Sequence, residues 1–457
     1  MRVPPCIRQW HKMCVKGLDE SAAVQYNIES SDKKRGAGFL RLLLRLGLRR
    51  RMKEKGFMIR IQKNGKGLTG LQRRAAVFGA AVLTASLLAG CGKQQNEETQ
   101  AAAPVEEQTA APQEQTETAE TGEQANLEDE ALMANDGEHS FLTGEPRAAE
   151  AVANRPLAVM FNNRKEGCPQ TGIEQASIVY EAPVEGRITR LMGLFEDYTE
   201  LDRIGYIRSS RDYFVYCALE YDAIYAHFGQ ATPYVGELLN SDRVDNISGA
   251  VAGIDHPAAN TFFRTSDRKA PNNVCIDVEG LVKDIGRFGY SLTYHDTHKA
   301  KFAFAADGEE AENSGSTDAV LLYPGGKESG LENGYSLIEA RFEYNEEDGK
   351  YYRYQYGEAQ IDESTGNQLA YENVIFQYCH GEVRDENDYL VFGLHGDNGM
   401  KVQVFTGGKM TEGTWSRYSD NDPAYYVDSE GNPIMLNQGK TWICLIWEDY
   451  ADDVVIE

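Results

Sequence analysis

Apolar and polar positions divide the chain into two regions with different periods. "RPLAVMFNN" (Arg155–Asn163) reads as a strand that ends in polar residues, and Ala176–Asp197 reads as two strands around the turn "PVEG". Ile204–Ile207 is a further short strand. The stretch after it carries Tyr213, Cys217 and Ala218 at spacings that share one helical face, which predicts a helix over Asp212–Leu219. "DAIYAHFGQ" (Asp222–Gln230) is apolar and strand-like. Helices are expected at Thr232–Leu239 and at Asp277–Phe288, where Val278, Leu281, Val282 and Ile285 recur at helical spacing. Strands mixed with helices in this way predict an α/β or α+β domain with a mixed sheet over residues 151–310.

From about Asp318 the pattern changes. "SLIEARFEYNEEDGKYYRYQYG", "NVIFQYCHG", "MKVQVFTGGKMTEGTWSRY" and "TWICLIWED" are strand-like, and Asp-Gly, Gly-Gly and Glu-Gly-Asn turns separate several of them. A mainly antiparallel β domain with one buried face is expected over 318–457.

Ahead of these regions the chain reads as an export signal and a spacer. Arg73 and Arg74 precede the apolar run Ala75–Gly90, which is too short to span a membrane comfortably. It ends in "LAGC", similar to the bacterial lipobox, in which the cysteine (here Cys91) is acylated and becomes the mature N-terminus. Several acyl chains on one cysteine give stable anchoring, since each buried methylene contributes about 0.8 kcal/mol. Met58 opens a signal peptide of ordinary length over 58–90, so residues 1–57 read as an upstream extension from a start codon placed too early. Residues 91–150 are acidic and nearly free of aromatic and β-branched apolar residues, and are expected to form a disordered tether. As a flexible coil, Gly92–Glu150 would span roughly 40 Å. The expected address is the extracytoplasmic face of the cell membrane.

Charge narrows the partners. Residues 1–90 carry 19 Lys/Arg and 5 Asp/Glu, which leaves 27 against 66 beyond them, a formal −39. So acidic a body is repelled by nucleic acid and by anionic lipid, so nucleic acid is not expected as a partner. Cys168, Cys217, Cys275, Cys379 and Cys444 are odd in number and widely spaced, which implies neither a disulfide framework nor a zinc site.

"RPLAVMFNN", "QASIVYEAPVEGRITRLMGLF", "IGYIRSSRDYF" and "YDAIYAHFGQA" resemble the YerB-like bacterial lipoproteins, a family defined by a domain of unknown function. The region from "YYRYQYGEAQ" to "GKTWICLIW" resembles that family's second domain, so the resemblance runs from about Arg155 to the end. It implies an envelope lipoprotein with a two-part body, and no reaction or cofactor. Two departures stand out: "HFGQA" replaces the family's His-Ala-Gly-Gly-Ser, and Pro271-Asn272-Asn273 replaces Pro-His-Asn.

The densest candidate chemistry lies in "IGYIRSSRDYF" (Ile204–Phe214). Ser209, three residues before Asp212, matches a capping box ahead of a helix. On one reading Arg208 and Arg211 then pair with internal carboxylates. On the other, the helix start and two guanidinium groups form an anion pocket. If the Arg208 strand runs parallel to Ala223–His227, a right-handed crossover brings Arg208, Arg211 and His227 to one sheet edge. Arg268 and Asn273 are candidates for the far wall. The leading expectation is an anionic small molecule or glycan held by Arg208, Ser209, Arg211 and His227.

Two alternatives stand beside it. Strand alternation puts Glu181 and Glu185 on one side, so an envelope hydrolase using these carboxylates with His227 is one. The other is a scaffold that binds a protein partner through the β domain. "YHDTHK" offers His295, Asp296 and His298, but neither HExxH nor a fourth ligand, so no metal is assigned. His256 and His395 read as turn residues. No cofactor is called for.

Overall fold

A computed structural model describes residues 137–394 and 396–457. The extension 1–57, the signal 58–90, Cys91, His395 and the tether up to residue 136 lie outside the described residues.

The first segment contains β1 (Leu157–Phe161), β2 (Ile178–Val184), β3 (Ile188–Phe195), β4 (Arg203–Gly205), α1 (Asp212–Leu219), β5 (Ile224–His227), α2 (Thr232–Leu239), β6 (Asn246–Ser248), β7 (Phe262–Arg264), β8 (Val274–Asp277) and α3 (Val278–Phe288). The second contributes β9 (Leu321–Tyr323), β10 (Arg341–Asn345), β11 (Lys350–Gln355), β12 (Asn373–Cys379), the hairpin β13 (Gly381–Val383) and β14 (Leu390–Phe392), then β15 (Asn398–Thr406), β16 (Lys409–Ser416) and β17 (Thr441–Trp447). The fold is α+β with a mixed sheet in the first segment and mainly antiparallel β in the second.

An 11-stranded sheet carries the fold, and along it run β16-β15-β12-β17-β2-β3-β1-β5-β6. The boundary near residue 310 is one of composition and period; hydrogen bonding crosses it. β17 lies parallel to β12 on one side and to β2 on the other. Its sequence, "TWICLIW", accounts for that position. A strand covered on both faces reads as a continuous apolar run, not an alternating one, and six of its seven residues are buried.

Pleating sends alternate residues to two cores. Ala158, Met160, Tyr180, Ala182, Met192 and Tyr225 face the core that α1 and α2 cover with Val215, Cys217, Val235 and Leu239. Val159, Phe161, Val179, Leu191 and Ala226 face the other, covered by Leu281 and Ile285 of α3 and by Phe342 and Tyr351 of a six-stranded sheet built on β9, β10 and β11.

Order begins earlier than the expected tether boundary at residue 150. Phe141 and Leu142 are buried in the first core. Ser140 Oγ donates to Glu196 at 2.7 Å and accepts from the backbone N–H groups of Leu142 and Thr143. The acidic composition around "SFLT" conceals a short anchoring turn.

Candidate functional site

The stretch Arg208–Arg211 is wedged between the ends of β1 and β5. Arg208 N–H donates to Met160 O at 3.0 Å, Phe228 N–H to Arg208 O at 3.1 Å, and Ser210 N–H to Gly229 O at 2.9 Å. The expected parallel approach is made by a Ser210–Gln230 bridge, while β4 itself pairs antiparallel with β8 in a separate small sheet. Gly229 has φ of 95°, and a Cβ there would collide with Ser209 Oγ. Only glycine fits that crossing.

Three guanidinium groups gather here. Arg211 is the N-cap of α1 and makes no side-chain capping bond. It grips Glu185 through Nε and Nη2, with Nε to Oε2 at 3.0 Å, donates through Nη1 to Ser210 O at 2.6 Å, and lies 5.2 Å from the Tyr389 ring centroid. Arg208 Nη1 donates to Asn272 Oδ1 at 3.0 Å. Arg190 on β3 is 5% exposed and donates through Nη1 to Ser209 O at 2.6 Å. The capping box does not form: the Ser209 hydroxyl turns to Phe228 O at 3.5 Å, and its carbonyl receives Arg190.

The charges do not cancel. Twelve of the sixteen described arginines have a carboxylate within ion-pair distance. Arg187, Arg190, Arg208 and Arg264 do not. With Glu185 set against Arg190, Arg208 and Arg211, the cluster keeps a surplus of two positive charges. Burial, with the charges of Arg211 and Arg208, pulls the Arg190 guanidinium down to about 9. Burial, with Arg164 and Arg211, lowers Arg208. Burial alone would raise the Glu185 carboxyl, but the hydrogen bonds and charge of Arg211 hold it below its ordinary value.

The β13–β14 hairpin brings residues of the second segment to this place. Arg384 Nη2 lies 2.5 Å from Asp212 Oδ2, and Asp385 accepts from Tyr234 OH at 2.8 Å.

The remaining predicted residues sit elsewhere or face away. His227 is fully buried, with Nδ1 2.7 Å from Gly229 O and Nε2 2.9 Å from Asn246 Oδ1. Both ring nitrogens face partners inside the protein and burial lowers the ring to about 4, so it ties β5 to β6 and is not a proton carrier in the cluster. Glu181 faces the other core. Its oxygens accept from Thr189, Asn163, Arg353 and Trp442, and burial raises it despite those donors. Glu185 lies past the end of β2, where it is free to turn toward Arg211. The sheet divides Glu181 from His227, and the hydrolase pair is not assembled.

Arg268 stacks 3.7 Å from the Tyr206 ring centroid and pairs with Glu363 at 2.9 Å. Asn273 accepts from Arg264 Nη1 at 2.7 Å and donates to Thr265 O at 2.8 Å, so it is the neighbouring Asn272 that reaches Arg208. His295 pairs with Asp222, and His298 stacks on Tyr294 at 4.0 Å. Among the described residues, no group of His, Cys, Asp or Glu is placed to hold a metal. Cys217, Cys275, Cys379 and Cys444 are buried and Cys168 is half-buried, all as free thiols.

Sequence reasoning missed Arg190, Asn272 and Tyr389 as site residues. Arg190 carried a signal: it is the one charge within the apolar strand "ITRLMGLF". Asn272 stands where the resembling family carries histidine.

Residues 142–291 match the family model described as "Protein of unknown function (DUF3048) N-terminal domain", and residues 331–443 match that for the DUF3048 C-terminal domain. The chain is 27% identical over 305 residues to the Bacillus subtilis (strain 168) protein named "Putative lipoprotein YerB", which covers 67% of this chain and 85% of that protein. The crystal structure of the YerB protein from Bacillus subtilis superposes with a TM-score of 0.57 at 24% identity, over 70% of this chain and 99% of that one, a likeness of fold. Both halves of the body and their order agree with these relatives: the chain belongs to the YerB-like family with paired DUF3048 domains.

Proposed function

We propose that the protein is a lipoprotein anchored through acyl chains on Cys91 at the extracytoplasmic face of the cell membrane, and that its body binds an anionic envelope ligand at Arg190, Arg208 and Arg211. The name of the Bacillus relative and the "LAGC" sequence support the anchoring. No helix among the described residues is long and apolar enough to cross a membrane.

One observation carries the binding reading: Arg190 is 5% exposed and, among the described residues, no carboxylate lies within ion-pair distance of it, Glu185 acting on it only from farther off. Withdrawing a cation from water without a counter-charge costs several kcal/mol. The body has acid to spare, yet supplies only Glu185 here. A bound anion would offset that cost, and guanidinium groups suit oxyanions through charge-assisted, two-pronged hydrogen bonds.

Thermal denaturation of the full chain with added inorganic phosphate tests this. Phosphate is expected to raise the melting temperature of the wild type and not that of Arg190→Gln. No rise in the wild type, or an equal rise in both, contradicts it.

A further inference from the structure

We propose that the ligand of this site carries a phosphate group seated among Arg190, Arg208 and Arg211, and beside it a second anionic group received by Arg264. This rests on the anion-binding reading above and names the ligand's chemistry.

Charge and valence select phosphate for the inner seat. The surplus there is two positive charges. A carboxylate supplies one negative charge and two acceptor oxygens. A phosphomonoester supplies close to two charges and three strong acceptors, one for each guanidinium group.

Arg264 provides the second seat. It is exposed, and among the described residues it has no carboxylate within ion-pair distance. It is nonetheless held in place: its guanidinium lies 5.2 Å from the Phe228 ring centroid, and Nη1 donates to Asn273 Oδ1 at 2.7 Å. Two connections tie it to the Arg208 stretch. Phe228, its platform, donates its N–H to Arg208 O at 3.1 Å. Asn273, its partner, follows Asn272, which holds Arg208 at 3.0 Å. A guanidinium group fixed by an aromatic face and an amide, with its outer donors unspent, is prepared for an oxyanion.

Ligands of this chemistry include a diphosphate, as on a lipid carrier, and a phosphodiester polymer that ends in a terminal phosphomonoester, whose end phosphate fits the inner seat and whose next phosphate reaches Arg264. Calorimetric titration of the full chain with inorganic phosphate, pyrophosphate and a glycerol-phosphate oligomer separates them. At least one two-phosphate probe is expected to bind about tenfold more tightly than inorganic phosphate, and Arg264→Gln is expected to abolish that advantage. The probe that shows the gain identifies the source. Equal affinity for all three probes, or a gain that survives in Arg264→Gln, overturns the second seat and leaves the anion-binding reading intact. If no probe binds the wild type, including inorganic phosphate, both fall.

Discussion

Glu181 and Arg190 stand on opposite faces of one sheet. In the β2–β3 register Glu181 pairs with Leu191 and Arg190 with Ala182, so pleating sends the acid to one core and the base to the other. Each buried charge is therefore settled separately. Glu181 is satisfied by Arg353, also fully buried, across 172 residues of sequence. Arg190 has no carboxylate within ion-pair distance among the described residues and feels Glu185 only from farther off.

The two arginines should respond differently to removal. Arg353→Met leaves Glu181 buried and unpaired, at an expected cost of about 3–5 kcal/mol. Arg190→Met removes an unpaired cation and is expected to change stability by no more than about 1 kcal/mol, or to raise it. Urea denaturation of both variants measures the contrast.

Glu185 competes with any ligand for Arg211. Glu185→Gln releases that guanidinium and raises the surplus charge from two to three. Phosphate affinity by calorimetry is expected to rise about tenfold, or roughly 1.4 kcal/mol, while the unliganded protein loses stability. Weaker phosphate binding would show that Glu185 positions Arg211 and does not block it.

Acid should weaken the fold through His227. Burial lowers this ring to about 4 from its ordinary 6.5. Between those values the unfolded chain takes up a proton that the folded chain refuses, so stability falls as pH drops from 6.5 to 4, with a full effect of about 3 kcal/mol. Burial lowers His298 to about 4 as well, and it acts in the same direction. Denaturant midpoints across this range should fall less steeply for His227→Gln than for the wild type.

The shared sheet predicts one unfolding transition for both segments. A chain ending near residue 310 lacks β17 and leaves the β2 edge unpaired. It is expected to show no cooperative melting by calorimetry, whereas the full chain should melt both halves together.

Local pattern made much of this fold legible. The expected bounds of α1 and α2 match the structure, and α3 begins one residue later, at Val278, because Asp277 is its N-cap and accepts from Gly280 N–H. "TWICLIW" was legible as a strand, but the expected single buried face was not what forms: both faces are covered, and which strands flank it was not legible because parallel pairing depends on residues far away in sequence. The site was legible only in part. Arg208 and Arg211 stood out in their motif, whereas Arg190, a lone charge in an apolar strand, was passed over. Its link to Ser209 depends on the path by which residues 207–211 pass between β1 and β5. His227 was misleading for a related reason: its partner Asn246 comes from β6, which pairs with β5 in parallel, and that pairing seals the ring inside.

The most direct test of the arginine cluster is a crystal structure of the full chain soaked in phosphate. The account predicts density for one phosphate in contact with Arg190, Arg208 and Arg211, with Glu185 still paired with Arg211. An empty cluster at saturating phosphate, or an internal carboxylate paired with Arg190, would contradict it.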